Sequence, residues 1–209
     1  MDYFTIADTA ETTFTEKRSE FIGCLAPVTT NDEAVAWINE IKAGHRKAKH
    51  HVYAYILRDS NITRYSDDGE PQGTAGVPVL DVLQKRGLTD VCCVVVRYFG
   101  GILLGGGGLV RAYSHSAALT CDAAHILHMC ESCPLMLRMD YTLYGKVTHI
   151  LPNYGVIEVA SEFGTDVWLE LNVRLEVLDK LMKDLTELSN GRIRMECGKA
   201  GYADFSAVK

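Results

Sequence analysis

The sequence predicts an α+β protein of two domains. Three observations lead to this prediction: a chain of 209 residues can form two small cores, the first half places an all-apolar strand before a glycine-rich loop and a helix, and the second half has the order β-α-β-β-α-β. That last order is typical of a ferredoxin-like sandwich. We predict an N-terminal domain over residues 1–133 and a ferredoxin-like domain over residues 134–209, divided where Pro134 ends a long helix.

The N-terminal domain begins with two strand patterns, residues 12–17 and 20–28, which are rich in β-branched and aromatic side chains. An amphipathic helix should follow, because Asn31 or Asp32 can cap its start and Gly44 can end it. Its apolar face carries Val35, Ile38 and Ile41 at helical spacing.

A basic cluster at residues 45–51 precedes an alternating strand over residues 52–57. The cluster predicts a positive patch beside the sheet, with Lys49 and His50 as candidate ligands of an anion. Surface lysines and arginines are common, so a solvated loop is the more frequent explanation for any one of these residues.

The segment from Arg64 to Pro78 holds three carboxylates, three glycines and two prolines, a composition that predicts a loop. A short helix is expected over residues 79–85. The strand over residues 91–96 is apolar on both faces and should be central in its sheet. A long helix should then begin near Leu109.

The second half alternates strands and helices with clear turn signals. Gly155, Gly164 and Gly191 mark three of the breaks between elements. The predicted elements are a strand at 135–144, a short helix at 145–153, a hairpin of 156–163 and 166–173, a helix at 175–188 and a last strand at 193–197.

Composition excludes several classes of protein. The net charge is −6, so RNA contact would need a local patch rather than a globally basic surface. The apolar runs are far shorter than the roughly 20 residues of a membrane-spanning helix. Because the first residues lack a basic start and an apolar core, the cytoplasm is the predicted location.

The seven cysteines predict reduced core thiols rather than a disulfide framework. Cys130 and Cys133 form a CxxC pattern with His125 and His128 just upstream, a spacing that could hold zinc. Packing at the end of the long helix is the competing and more frequent explanation.

The glycine run at residues 105–108 precedes a helix, whose first N–H groups have no partner within the helix. Such a helix start can bind an anion, and Arg97 and Arg111 could close on it. Close helix packing is an equally good reason for the glycines. The candidate anion-binding or nucleic-acid-binding residues are Lys49, His50, Arg97, Gly105, Gly106, Gly107, Gly108, Arg111 and Ser114.

The acidic loop supplies the candidate catalytic groups, Asp67, Asp68 and Glu70. One could act as a general base, and Asp67 and Asp68 could hold magnesium beside a phosphate. Acids in a loop rich in glycine and proline more often form turns and caps. The sequence itself shows no nucleophile with a relay, and no cofactor is firmly indicated.

Four motifs resemble the IMPACT family, whose bacterial members are the YigZ-type proteins. They are SEFIG at residues 19–23, AxHxxYAY at 48–55, SDDGEPQGTAGVPVLDVL at 66–83 and VVVRYFGGILLGGGGLVRAYS at 94–114. This chain has His51 where the family commonly has Asn.

The resemblance implies an N-terminal domain with the β-α fold shared by a ribosomal protein, a domain of elongation factor G and the small-metabolite kinases. The C-terminal domain should resemble the last domain of elongation factor G. Eukaryotic IMPACT proteins are translational regulators, but they act through an extra domain that does not occur among these motifs. No established reaction is implied.

Three functions follow as hypotheses. The first is a translation-associated regulatory protein that binds RNA, the ribosome or another phosphate-bearing partner. The second is a metal-assisted enzyme acting on a phosphate-containing small molecule. The third is a partner-binding regulator whose loops only fix shape. The third is distinguished from the other two by whether the loops at residues 64–76 and 100–111 face the same cleft.

Overall fold

The computed structural model describes residues 2–208, which divide into two units. One is Tyr3–Leu127, and the other joins Asp2 to residues 128–208. The predicted α+β class is confirmed. The predicted boundary at Pro134 falls inside a strand, and the division between the units comes earlier, at Leu127.

The N-terminal unit is built on a five-stranded antiparallel sheet whose central strand is β6 (Val91–Tyr98), as predicted. Cys93 and Val95 face one hydrophobic cluster, whereas Cys92 and Val94 face another. This two-sided burial explains why the strand is apolar throughout. The order is β2 (Ala10–Glu16), β3 (Ser19–Pro27), β6, β4 (His50–Leu57) and β5 (Ile62–Ser66), and a short β1 (Tyr3–Ile6) precedes them.

Helices cover both faces of this sheet: α1 (Asn31–Gly44) on one, and α2 (Gly76–Lys85) and α3 (Gly106–Ala123) on the other. The predicted cap of α1 was wrong, because Thr30 is the capping residue. Its hydroxyl accepts the Glu33 N–H at 3.2 Å, and Glu33 reaches back to the Thr30 N–H.

The long helix differs from its prediction at both ends. It begins at Gly106 rather than Leu109, although glycine has a low helix propensity. It ends at Ala123, and the following residues form a strand, β7 (Ile126–Met139). The prediction that Cys130 lies near a helix end was therefore wrong.

Pro134 is tolerated within β7 because it falls at a change of partner strand. Residues 129–132 of β7 pair with β11 (Gly201–Asp204), and residues 135–138 pair with β10 (Arg194–Cys197). The missing N–H of Pro134 therefore costs no ladder bond on that edge.

The C-terminal unit has the predicted ferredoxin-like fold. Its strands lie in the order β10, β7, β9 (Val167–Arg174) and β8 (Ile157–Phe163). Two helices complete the β-α-β-β-α-β order, α4 (Tyr141–Ile150), which continues as a 3-10 turn, and α5 (Leu175–Ser189). Alternate residues of β9 are buried with Leu181 and Leu185 in one core.

Candidate functional site

The acidic loop and the glycine-rich loop face the same cleft in the N-terminal unit. The cleft has a volume of about 400 Å³. The acidic loop contributes Glu70 and Pro71, and β4 and the chain before it contribute Lys49 and His50. The other lining residues are Arg97, Phe99, Leu103, Leu104, Gly105, Gly106 and Leu109. Three segments separated in sequence thus form its walls.

Asp67 is an N-terminal cap of α2. Its carboxylate accepts the N–H groups of Gly73 at 2.8 Å, Ala75 at 3.1 Å and Gly76 at 2.8 Å. Gly76 has no room for a side chain, because a Cβ there would lie 2.8 Å from the carbonyl carbon of Ser66. The Asp67 carboxylate therefore fixes how the loop enters α2.

Asp68 joins the loop to the basic cluster. Its carboxylate accepts the His51 N–H at 2.7 Å and pairs with Lys42 at 3.3 Å, while its carbonyl lies 2.9 Å from His50 Nδ1. Partial burial acts to raise the pKa of Asp68, but the bonds from His51 and Lys42 outweigh it, and the net pKa is lowered. This carboxylate is charged and engaged at neutral pH.

Glu70 is the one acid of the three that lines the cleft and is buried. Its Oε1 accepts from Arg97 Nη1 at 2.6 Å and from the Tyr113 hydroxyl at 2.8 Å. The side chains of Glu70 and Arg97 are only 4% and 6% exposed. Burial, with the adjacent Glu70 charge, raises the pKa of Tyr113 well above its ordinary range, so this phenol is a donor at any relevant pH.

Arg97 is held on several sides. Its guanidinium lies 5.6 Å from the Phe21 ring and 5.4 Å from the Phe99 ring, and Nη2 is 3.5 Å from Ser19 Oγ. Its buried Nε has no hydrogen-bond partner among the described residues. The sequence predicted an anionic partner for Arg97, and the structure supplies one from the chain itself.

The glycine run combines two different requirements. Gly105 has φ of +69°, which favours glycine. Gly106 and Gly107 are helical, and a Cβ on Gly106 would meet only Thr74 Cγ2 at 3.9 Å, whereas one on Gly107 would meet nothing within 4 Å. Packing therefore does not demand glycine at either position. Among the described residues no side chain caps the start of α3, and Gly106 and Gly107 are exposed.

The remaining candidates lie elsewhere. Gly108 and Arg111 line a second cleft of about 250 Å³, together with Lys17 and His115. These positions do not support the prediction that Arg97 and Arg111 close on one phosphate. Ser114 and Gly107 line neither cleft.

Several residues at this cleft were missed in the sequence. Phe99 and Leu103 are exposed apolar side chains on its rim, 51% and 82% exposed. Tyr113 and Ser19 hold Glu70 and Arg97 from elements distant in sequence. The one available signal was the placement of three large apolar residues, Ile102 to Leu104, inside a glycine-rich loop.

Two buried cysteines of the N-terminal unit, Cys24 and Cys92, are unreactive because of their surroundings. Burial raises the pKa of Cys24 and of Cys92 to about 12, so these thiols stay protonated. The described cysteines are all free, as predicted, and Cys197 is the exposed one.

The fold and its cleft define a two-domain α+β protein with a cleft beside a glycine-rich helix start in the first domain and a ferredoxin-like sandwich as the second. Residues 17–121 match the Impact N-terminal domain, and residues 137–192 match a domain of unknown function, DUF1949. The chain belongs to the IMPACT family.

Similar proteins support this over nearly the full length. The IMPACT family member YvyE of Bacillus subtilis is 36% identical, covering 97% of this chain and 94% of its own. The IMPACT family member YigZ of Escherichia coli is 47% identical, covering 86% and 89%. A crystal structure of a hypothetical protein aligns with a TM-score of 0.60 at 28% identity, covering 95% of this chain and 98% of that one.

None of the helices in residues 2–208 combines the length and apolar character needed to cross a membrane.

Proposed function

We propose that this protein is a translation-associated binding protein that takes a phosphate group of RNA, presented alone or on the ribosome, at the start of α3. The observation that carries the proposal is the convergence of the acidic loop and the glycine run on one cleft. The cleft combines a bare helix start with positive and apolar side chains.

The helix start supplies the anion-binding groups. The unpaired N–H groups of a helix's first turn and its dipole favour a negative charge. Gly106 lines the cleft and has room for a Cβ, so its glycine lets a ligand approach the backbone closely.

The side chains around the helix start contribute positive charge and apolar surface to the cleft. Arg97 is neutralised by Glu70, which leaves Lys49 as the exposed positive charge of the cleft. Phe99 and Leu103 form an apolar rim, and an exposed aromatic ring beside a phosphate site suits stacking of an unpaired base. This combination favours single-stranded RNA over an inorganic anion.

The link to translation comes from the family, since the resemblance implies regulators of translation among its eukaryotic members. The metal-assisted alternative gains no support from the loop. Asp67 and Asp68 direct their carboxylate oxygens to backbone N–H groups and to Lys42.

The test measures binding of labelled single-stranded RNA, and cosedimentation with ribosomes, over a series of salt concentrations. Wild-type affinity should fall steeply with salt. Lys49→Ala should lower the salt slope by about 1. Gly106→Ala should weaken binding about tenfold or more, because it separates the phosphate from a charge-assisted hydrogen bond.

Gly145→Ala is the matched control, since Gly145 is an exposed glycine of α4 with nothing within 4 Å of an added Cβ. It changes a helix glycine to alanine without touching the cleft. RNA affinity that stays flat with salt, or a Gly106→Ala protein that binds like the Gly145→Ala protein, would overturn the proposal.

A further inference from the structure

Three side chains of different chemistry meet in the C-terminal unit. They are Asp2, His128 and Cys130, whose ligand atoms all lie within 4.8 Å of one another. His128 and Cys130 are two apart on β7, so their side chains project from the same face of the strand. Asp2 completes the group from the start of the chain.

The separations match those of ligands around one tetrahedral ion. His128 Nε2 is 3.6 Å from Cys130 Sγ and 3.7 Å from Asp2 Oδ2. The usual zinc–sulfur, zinc–nitrogen and zinc–oxygen bond lengths put tetrahedral ligand atoms about 3.6 Å apart for the S–N pair and about 3.4 Å apart for the N–O pair. The exposed carboxylate of Asp2 can close the small difference in the N–O separation.

The ligands are held in place by their neighbours. Asp2 Oδ1 accepts the Glu131 N–H at 3.4 Å, which turns Oδ2 towards His128. The backbone N–H of His128 donates to Asp204 Oδ1 at 3.0 Å, and Cys130 is fixed opposite Ala203 in the β7–β11 ladder. Such outer contacts orient metal ligands.

Exposure falls along the group from the carboxylate to the thiol. The side chain of Asp2 is 49% exposed and that of His128 is 29% exposed, whereas Cys130 is buried. An ion could therefore enter past Asp2, with the thiolate at the inner end and one coordination position open to solvent.

We propose that Asp2, His128 and Cys130 form a three-ligand site for a divalent ion of the zinc class. A thiolate and an imidazole favour Zn²⁺ or Co²⁺ over Mg²⁺ or Ca²⁺. One thiolate and one carboxylate balance the two positive charges of the ion. Binding releases the thiol proton to solvent as the S–metal bond forms.

The site differs from the zinc pattern seen in the sequence. His125 and Cys133 are not members of the group. Cys133 Sγ instead lies 3.4 Å from the Pro134 carbonyl and 3.2 Å from the Gly198 carbonyl, to which the thiol donates. Two of the four residues of that pattern, His128 and Cys130, therefore belong to the proposed site, and Asp2 was missed.

Cobalt titration tests the site. The full chain, expressed from Met1 without a polyhistidine tag and stripped with a chelator, is titrated anaerobically with Co²⁺. We expect one equivalent to produce the intense visible bands of tetrahedral cobalt and a thiolate-to-cobalt charge-transfer band, both removed by Zn²⁺. Cys130→Ser should abolish the charge-transfer band, and His128→Ala and Asp2→Asn should each weaken Co²⁺ binding tenfold or more.

Cys133→Ser is the matched control, because it removes another buried thiol of the same strand. It should keep the spectrum and the affinity. Asp2→Asn changes a half-exposed side chain, so weaker Co²⁺ binding in this variant would not result from a disrupted hydrophobic core. The absence of a charge-transfer band in the wild type, its survival in Cys130→Ser, or wild-type affinity in Asp2→Asn would each overturn the proposal.

Discussion

Arg97→Ala should destabilise the N-terminal domain strongly. The change removes a guanidinium that pairs with Glu70 at 2.6 Å, and Glu70 is only 4% exposed in its side chain. The carboxylate would keep the Tyr113 hydroxyl as a donor but lose its counter-ion. Breaking one side of a buried ion pair costs about 3–5 kcal/mol, a large part of the 5–15 kcal/mol that is typical of a domain.

Glu70→Gln should lower the free energy of unfolding by less, about 1–3 kcal/mol, because the amide keeps the shape of the side chain and a carbonyl acceptor for Arg97 and Tyr113. The double variant Arg97→Ala with Glu70→Gln leaves no buried charge. The double variant should therefore lose less unfolding free energy than the sum of the losses in the two single variants.

Urea denaturation followed by tryptophan fluorescence and circular dichroism measures the three free energies of unfolding. Arg138→Ala is the control, because Arg138 belongs to an exposed ion pair with Asp166, and its loss should be much smaller. A loss below about 1 kcal/mol for Arg97→Ala, or a double variant that equals the sum of the singles, would refute the assignment of the pair as a structural element.

Two further predictions concern the acidic loop. Asp67→Ala should lower the free energy of unfolding by about 1–2 kcal/mol, because three backbone N–H groups lose their acceptor. Urea denaturation at neutral pH measures this loss, and wild-type stability in the variant would contradict the capping role. The lowered pKa of Asp68 predicts a contribution to stability that is present above the unfolded-state pKa, near the ordinary value of 3.8, and is lost as the pH falls through the lower folded-state pKa. In Asp68→Asn, the urea midpoint should therefore fall less steeply as the pH is lowered through this acidic range. A variant whose urea midpoint depends on acidic pH as the wild type does would show that Asp68 does not contribute.

The parts of the fold that were predictable have strong local patterns. β6 is apolar throughout because both of its faces are buried, and the β8–β9 hairpin follows a clear turn at Gly164. The first part of β7, residues 126–133, was mistaken for a helix end, since the alanine-rich segment before it favours helix. Its pairing with β9, β10 and β11 decides the conformation, and such pairing cannot be read from local propensity.

The sequence pointed to the loops that line the cleft, but it did not distinguish the contacts made by their individual residues. The sequence indicated that Arg97 binds an anion, but not that Glu70, 27 residues away, is that anion. Likewise the three acids of the loop were indistinguishable by spacing. Only the folded chain shows that Asp67 caps α2, that Asp68 holds β4 and that Glu70 lines the cleft.

The different roles of these acids determine what the cleft can bind. Because Glu70 neutralises Arg97, the arginine fixes the cleft wall and supplies little free charge to a ligand. The positive features that remain are Lys49 and the bare start of α3. The two glycines with room for a Cβ carry a cost in helix stability of up to about 0.5–1 kcal/mol each, which neither packing nor a positive φ explains. Under the proposed function, close approach of a ligand to the backbone accounts for this cost at Gly106, which lines the cleft, and this is why Gly106, rather than Arg97, gives the cleaner test of binding.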